Sequence, residues 1–229
     1  MIFYSYFLSF FIFLAQILAN SRKPDSEIFQ VKILSENPEI YLVENFFPIE
    51  YCDHIRDKAL PYLKRSSVVD NSGRSFGIIH EGRTSSSMHF PPYMRDPILD
   101  ALEKKIARLT KTDKKNGEWV QVMRYKIKEE YLPHYDFFDP QTEGGRRTLL
   151  RGGQRIATCI LYLQEPNKGG ETIFPFMLLS IPPKKGNLLL FYNCTPDDQV
   201  DFLTFHGSAP VEEGEKWIAT RWIRQQEFH

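Results

Sequence analysis

Tyr131-Leu132-Pro133-His134-Tyr135-Asp136 is the stretch whose reading decides the fold. It predicts a strand in which His134 and Asp136, two residues apart, project from one face. An imidazole beside a carboxylate supplies two of the three protein ligands of the facial triad that holds non-haem Fe(II) with positions left open. The pair alone is a weak motif, because short polar pairs also arise at exposed strand positions. Two downstream segments strengthen it. Phe205-His206-Gly207-Ser208-Ala209-Pro210 offers a second imidazole, and Gly214-Glu215-Lys216-Trp217 sets a lone cation at the opening of a hydrophobic strand.

The chain has 229 residues, enough for one well-buried core plus a leader. Lys and Arg together number 29, as do Asp and Glu, so no net charge favours nucleic acid or an anionic membrane surface as partner. The 18 Phe and 11 Tyr, with Pro and Gly spread throughout, suit a β-rich fold with many turns.

Residues 2–19 are apolar except for Tyr4, Ser5, Tyr6, Ser9 and Gln16. That run has the length of a signal peptide's apolar region or a marginal membrane span, and its lack of a polar face argues against a buried core helix. Residues 1–19 are therefore expected to be either a cleaved signal peptide or an uncleaved type II signal anchor. Arg22 and Lys23 follow the run while no cation precedes it, which fits poorly with a lumenal chain. Both alternatives place the domain in the secretory pathway, in the endoplasmic reticulum lumen, with membrane attachment only through such an anchor. Residues 20–37 are then a linker and 38–229 the folded domain.

Cys52, Cys159 and Cys194 are odd in number, so at least one thiol is expected to be free or to pair with another chain. Cys159 lies in an apolar run and reads as a small core residue. Their spacing matches no zinc motif. Asn193-Cys194-Thr195 is a formal N-glycosylation acceptor, disfavoured by Pro196 just after it.

In chain order, residues 26–46 predict a leader strand with Ile40, Leu42 and Val43 as its apolar part. Pro48 opens a helix through about Lys64, with Ile55, Ala59 and Tyr62-Leu63 at helical spacing. Residues 66–90 form a polar stretch with a turn at Asn71-Ser72-Gly73. Asp96-Pro97 begins a second helix whose Ile98, Leu102, Ile106 and Leu109 make one stripe. From Trp119 the period changes to two, giving strands at 120–126, 131–137, 155–163, 171–174, 187–192, 202–206 and 216–224. Residues 139–153, rich in Gly and Arg, read as a mobile loop. This pattern predicts a sandwich or jelly roll.

From about Pro38 to Phe228 the chain resembles the catalytic domain of prolyl 4-hydroxylases, in the Fe(II)/2-oxoglutarate dioxygenase superfamily. The resemblance rests on Asn45-Phe46-Phe47, Glu50-Tyr51-Cys52-Asp53, Arg65-Ser66-Ser67-Val68-Val69-Asp70, Arg83-Thr84-Ser85-Ser86 and Arg124-Tyr125. It continues through Pro133-His134-Tyr135-Asp136, Arg155-Ile156-Ala157-Thr158, Gly169-Gly170-Glu171-Thr172-Ile173-Phe174-Pro175 and Pro183-Lys184-Lys185-Gly186. The last blocks are His206-Gly207, Lys216-Trp217 and Trp222-Ile223-Arg224. These blocks stand in the family's order. The resemblance implies a mainly β fold with flanking helices (α+β), built on a double-stranded β-helix or jelly-roll core.

It further implies His134, Asp136 and His206 as iron ligands. Lys216 is implied as the partner of the distal carboxylate of 2-oxoglutarate, and Tyr125 and Thr172 as hydroxyl donors to that cosubstrate. Arg155, Trp222 and, more weakly, Tyr131 are implied to lie near the peptide substrate. Each has an ordinary alternative: Lys216 a strand-end lysine reaching solvent, Tyr125 and Thr172 common strand residues, Arg155 and Trp222 packing groups. Alternation places Lys216, Ile218, Thr220 and Trp222 on one face, looking into the barrel.

The implied reaction consumes O2 and 2-oxoglutarate, releases succinate and CO2, and hydroxylates C4 of a proline in a proline-containing peptide, with L-ascorbate as reductant. Residues 66–90 and 137–153 are natural lids over an extended peptide. Two other readings remain open: another 2-oxoglutarate oxygenase on this scaffold acting on lysyl, aspartyl or small-molecule substrates, and a non-enzymatic jelly-roll binding module. The sequence is silent on partner subunits; with no peptide-binding or isomerase-like domain ahead of the catalytic part, it gives no support for a tetrameric collagen-type assembly.

Overall fold

The structure, a computed structural model, describes residues 22–74 and 77–229. The apolar run at 2–19 and the expected signal segment lie outside the described residues. In chain order the elements are β1 (Gln30–Glu36), β2 (Glu39–Glu44), α1 (Ile49–Ala59), β3 (Lys64–Arg65), β4 (Ser86–His89), α2 (Pro97–Thr110), β5 (Gln121–Tyr125), β6 (Tyr131–His134) and α3 (Glu143–Leu149). They continue with β7 (Arg155–Gln164), β8 (Lys168–Gly169), β9 (Thr172–Phe174), β10 (Leu179–Ile181), β11 (Leu188–Tyr192), β12 (His206–Ser208), β13 (Val211–Glu213) and β14 (Lys216–Arg224).

Among the described residues, one large sheet runs β1-β2-β11-β7-β14-β5-β4-β3 and a smaller one β10-β9-β12-β6, with every pair in them antiparallel. The central strands β7, β14 and β5 are buried nearly throughout because both of their faces are covered. On β7, Ala157, Cys159, Leu161 and Leu163 join the core beneath α1 and α2, while Ile160 and Tyr162 join a second core shared with Phe174 and Ile181 of the smaller sheet. β14 divides in the same way, with Trp217, Ala219 and Ile223 toward the helices and Ile218 toward the smaller sheet. Two sheets facing each other, with helices outside the larger, make the expected double-stranded β-helix.

The helices follow from local rules. α1 buries Cys52, Ile55 and Ala59, a three-and-four spacing, and gives way to a tight turn at Leu60–Tyr62 where Pro61 denies the next helical N–H. It therefore stops short of Lys64. α2 starts at Asp96, whose carboxylate accepts from the Leu99 N–H at 2.9 Å, with Pro97 in the first turn. Its buried face is Leu99, Leu102, Ile106 and Leu109.

Several expectations need correction. Residues 26–46 form a hairpin, β1 against β2, and not one strand. In the expected linker at 20–37, the described residues from 22 onward are folded: β1 is part of the large sheet, Phe29 is buried, and Arg22 bonds the Cys194 carbonyl at 2.9 Å. The polar stretch at 66–90 contributes β4. The supposed mobile loop at 139–153 contains α3, capped by Thr142, whose hydroxyl accepts from the Gly145 N–H at 3.0 Å. β6 ends at His134, so Asp136 stands just beyond the ladder. Residues 202–204 form a 3-10 turn, with the strand itself at His206–Ser208. All three cysteines are free and buried. Asn193, the formal glycosylation acceptor, is fully buried.

Replacing Asp96 with alanine removes the α2 cap together with a bond from Lys58 at 2.6 Å. The expected loss of unfolding free energy is about 1–2 kcal/mol, read from the midpoint of a urea titration at unchanged slope.

Candidate metal centre and its cavity

The smaller sheet sets His206 of β12 directly opposite His134 of β6. Their rings lie 4.5 Å apart between centroids. Gly207 permits this approach, since a Cβ there would sit 2.7 Å from the Tyr131 carbonyl oxygen. Each imidazole is oriented by its own strand. His134 Nδ1 lies 3.0 Å from the Leu132 carbonyl and His206 Nδ1 2.9 Å from the Thr204 carbonyl. A carbonyl only accepts, so Nδ1 carries the proton in both rings and Nε2 is left with a lone pair.

Those two Nε2 atoms face the Asp136 carboxylate, His134 at 3.6 Å from Oδ1 and His206 at 3.5 Å from Oδ2. One ligand atom from each of the three residues falls within 4.8 Å of the others. Burial holds His206 down to about 4, against the pull of Asp136, so the ring is neutral near pH 7. For Asp136 burial pushes upward, yet His206, His134 and the Arg155 guanidinium outweigh it and hold the carboxyl well below the usual range. Two imidazole nitrogens and one carboxylate on one side of a cleft suit Fe(II), whereas a structural zinc site is closed on four sides and commonly rich in cysteine.

The cleft draws its lining from both sheets. Lys216, Ile218, Thr220 and Trp222 all line it, as alternation along β14 requires. Lys216 is 1 % exposed and its Nζ donates to Ser208 Oγ at 2.9 Å. Among the described residues no carboxylate lies within ion-pair distance of that ammonium, and burial drives it down to about 7 against a weaker pull from Glu171. A cation so placed calls for an anionic ligand. Thr220 Oγ1 and Trp222 Nε1 are also buried without hydrogen-bond partners, so the wall offers further polar atoms to a guest.

Tyr125 and Thr172 line the same cleft; the Thr172 hydroxyl shares a 2.9 Å bond with Tyr162. Tyr131 stacks on the His134 ring at 3.7 Å, with the Arg83 guanidinium 4.7 Å from its own centroid. Trp222 lines the cleft, but Arg155 does not: it lies behind Trp222, 3.8 Å from the indole centroid, clamped by Glu118 at 2.6 and 2.8 Å. Of its outer nitrogens one donates to Glu118, and the other lies 3.5 Å from the Asp136 carbonyl and 4.0 Å from the Asp136 Oδ1.

Sequence reasoning missed Arg83, Ser208 and Thr158, which also line the cleft. Hydroxyl residues in strands carry no spacing signal of their own. Thr158 was nevertheless findable, because it alternates with the core residues Ala157 and Cys159 and so must face the other sheet.

Residues 120–224 match the model of the 2OG-Fe(II) oxygenase superfamily. Among curated proteins, the chain is 37 % identical over 249 aligned positions to "Probable prolyl 4-hydroxylase 4" of Arabidopsis thaliana, covering 96 % of this chain and 81 % of the relative. It is 38 % identical to "Prolyl 4-hydroxylase 2" of the same plant, covering 87 % and 71 %. Among solved structures, a viral collagen prolyl hydroxylase of Paramecium Bursaria Chlorella virus-1, in a 2OG complex, superposes with a TM-score of 0.63 at 30 % identity, covering 81 % of this chain and 95 % of that one. A Trichoplax adhaerens prolyl hydroxylase, solved with a hypoxia inducible factor peptide, shares the fold at a TM-score of 0.59 and 16 % identity, covering 81 % and 83 %.

Replacing His134 or His206 with alanine is expected to weaken Fe(II) binding by more than the ~10–100-fold that losing an outer-shell partner costs. Anaerobic titration against a competing chelator measures it, and wild-type affinity in either variant would remove that residue from the ligand set.

Proposed function

Because the chain belongs to the 2OG-Fe(II) oxygenase superfamily, and within it to the prolyl 4-hydroxylases, we propose that it hydroxylates C4 of peptidyl proline with O2 and 2-oxoglutarate, releasing succinate and CO2. The observation that carries this reading is one cleft holding both the His134–Asp136–His206 trio and the buried, unpaired Lys216 ammonium. A generic metal site needs the first; only a diacid cosubstrate explains the second.

His134, Asp136 and His206 hold Fe(II), which supplies the oxidising power for C–H hydroxylation when bound. The protein's own share is placement. Lys216 pairs with the distal carboxylate of 2-oxoglutarate, with Ser208 orienting its ammonium. Tyr125 and Thr172 present hydroxyls along the same wall. Trp222 offers a flat apolar face to a prolyl ring, with Arg155, held by Glu118, against the indole, and Tyr131, covered by His134 and Arg83, stands beside the ligand histidine. A proline-rich peptide enters already extended as polyproline II, so little ordering cost attends its binding. L-ascorbate serves as reductant, and the apolar run at 2–19 delivers the domain to the endoplasmic reticulum lumen as a signal peptide or type II anchor.

The direct test supplies purified protein with Fe(II), 2-oxoglutarate, O2 and a proline-rich peptide. Gain of one oxygen atom on proline, placed at C4 by residue analysis and matched by succinate, is the expected result. Hydroxylation confined to lysyl or aspartyl peptides, or no 2-oxoglutarate turnover, would overturn the reading.

Lys216→Ala should leave Fe(II) binding nearly intact and raise the KM for 2-oxoglutarate by about two to four orders of magnitude, since breaking a buried ion pair costs about 3–5 kcal/mol. An unchanged KM would return Lys216 to a packing role.

The pH dependence follows from the same residue. Its folded value of about 7 lies below the ordinary lysine range, so above pH 7 the free site must take up a proton when the diacid binds. The KM for 2-oxoglutarate should therefore rise above pH 7 by up to about tenfold per pH unit. The stability sign is the reverse. From about pH 7 to the unfolded lysine value the unfolded chain holds the extra proton, so Lys216 becomes less destabilising to the ligand-free fold as pH rises. Saturation kinetics and thermal midpoints across pH 6.5 to 8.5, an interval of about two units around that value, check both directions.

A further inference from the structure

Behind the ligand trio lies a buried polar chain that holds no role in the reaction as described. Thr158 Oγ1, on β7, lies 2.7 Å from Asp136 Oδ2, and Asn193 Nδ2, just past β11, lies 2.9 Å from the same threonine oxygen. Thr158 and Asn193 are both 0 % exposed. The backbone of Asn193 is itself fixed, its N–H donating to the Ile156 carbonyl and its carbonyl accepting from the Asp201 N–H, each at 2.9 Å.

The direction of every proton in this chain is forced. A carboxylate only accepts and a hydroxyl has one proton, so Thr158 donates to Asp136. The threonine lone pairs then need a donor, and only the amide NH2 of Asn193 can supply one. Turning that amide over would set two oxygens together with no proton between them. The chain therefore reads Asn193 to Thr158 to Asp136.

Asp136 needs such help. β6 ends at His134, so no ladder bond fixes the aspartate's backbone as it does for the two histidines. Arg155 reaches its carbonyl at 3.5 Å and stands 4.0 Å from Oδ1, so the side chains that meet each oxygen set how the carboxylate is turned. We propose that Thr158 and Asn193 are positioning residues that engage one oxygen of Asp136 and so make it a one-oxygen ligand. The consequence lies in the coordination count. An octahedral ion held by three protein atoms has room for both oxygens of a 2-oxo acid and for O2, but none to spare for a second aspartate oxygen. The inference rests on the reading of the trio as the Fe(II) site.

The test uses the full-length protein, stripped of metal, as wild type, Thr158→Val, Thr158→Ser and Asn193→Leu. Fe(II) affinity is measured anaerobically against a competing chelator, alongside the charge-transfer absorption of the anaerobic complex with 2-oxoglutarate. The thermal midpoint of each metal-free variant reports folding. Thr158→Val should bind Fe(II) about 10–100-fold more weakly with a shifted absorption band, and Thr158→Ser, which keeps the hydroxyl, should recover both. Wild-type affinity and band in Thr158→Val would overturn the proposal. So would a Thr158→Ser variant as weak as the valine, because packing and not the hydroxyl would then be responsible. Should Thr158→Val fail to fold, Asn193→Leu decides, since it removes the amide and spares the hydroxyl: weaker Fe(II) binding supports the relay and wild-type binding refutes it. A wild-type protein that binds Fe(II) tightly yet leaves proline unmodified defeats the substrate reading and not this one.

Discussion

The pairing of β12 with β6 is the constraint on which the site depends. Register in an antiparallel pair is all or nothing: a slip of one residue would turn His206 to the far face of the sheet and leave His134 alone. Gly207 makes the register possible by allowing the backbones to close, and the Nδ1 bonds to Leu132 and Thr204 make it useful by aiming both lone pairs inward. Metal affinity in this protein is therefore a property of strand pairing before it is a property of side chains.

Around that pair the fold manages an unusual density of buried charge. Asp136, Lys216, Arg155, Glu118, Arg221 and Arg224 all lie at low exposure within one sandwich. They solve the problem differently. Glu118 is pulled below its usual range, burial notwithstanding, by Arg155 and Arg224, forming a closed structural cluster. Among the described residues Lys216 has a hydroxyl and two aromatic rings nearby and no carboxylate within ion-pair distance, so its charge is left for a guest. A satisfied cluster is inert, and an unsatisfied one is a binding site.

The sequence made some of this legible and concealed the rest. Strict alternation along 216–224 placed Lys216, Ile218, Thr220 and Trp222 in the cleft, and the stripe on α2 named Leu102, Ile106 and Leu109 but took Ile98, which is only partly buried, in place of the buried Leu99. Both succeed because period and burial are tied by local geometry. Strand partners were not readable: that β14 would lie between β7 and β5, or that β1 would join the sheet at all, depends on contacts far apart in the chain. Arg155 shows a third kind of miss. The resemblance implied a place near the peptide for it and for Trp222; that it lies against that indole and is engaged by Glu118 arises only in the folded state.

The position of β14 carries a consequence for how the molecule comes into being. It fills the gap between β7 and β5, yet it is translated after every other strand. Until it emerges, those two strands present unpaired, strongly apolar edges to whatever surrounds the nascent chain. Loop closure must also be made over long separations before any of that pairing is rewarded. Until then an open slot stands at the middle of the sheet, and the interval before β14 drops into it is the period of greatest exposure to misassembly and the natural point of engagement for chaperones. Because Lys216 opens that same strand, the pocket is completed in the same event that closes the sheet.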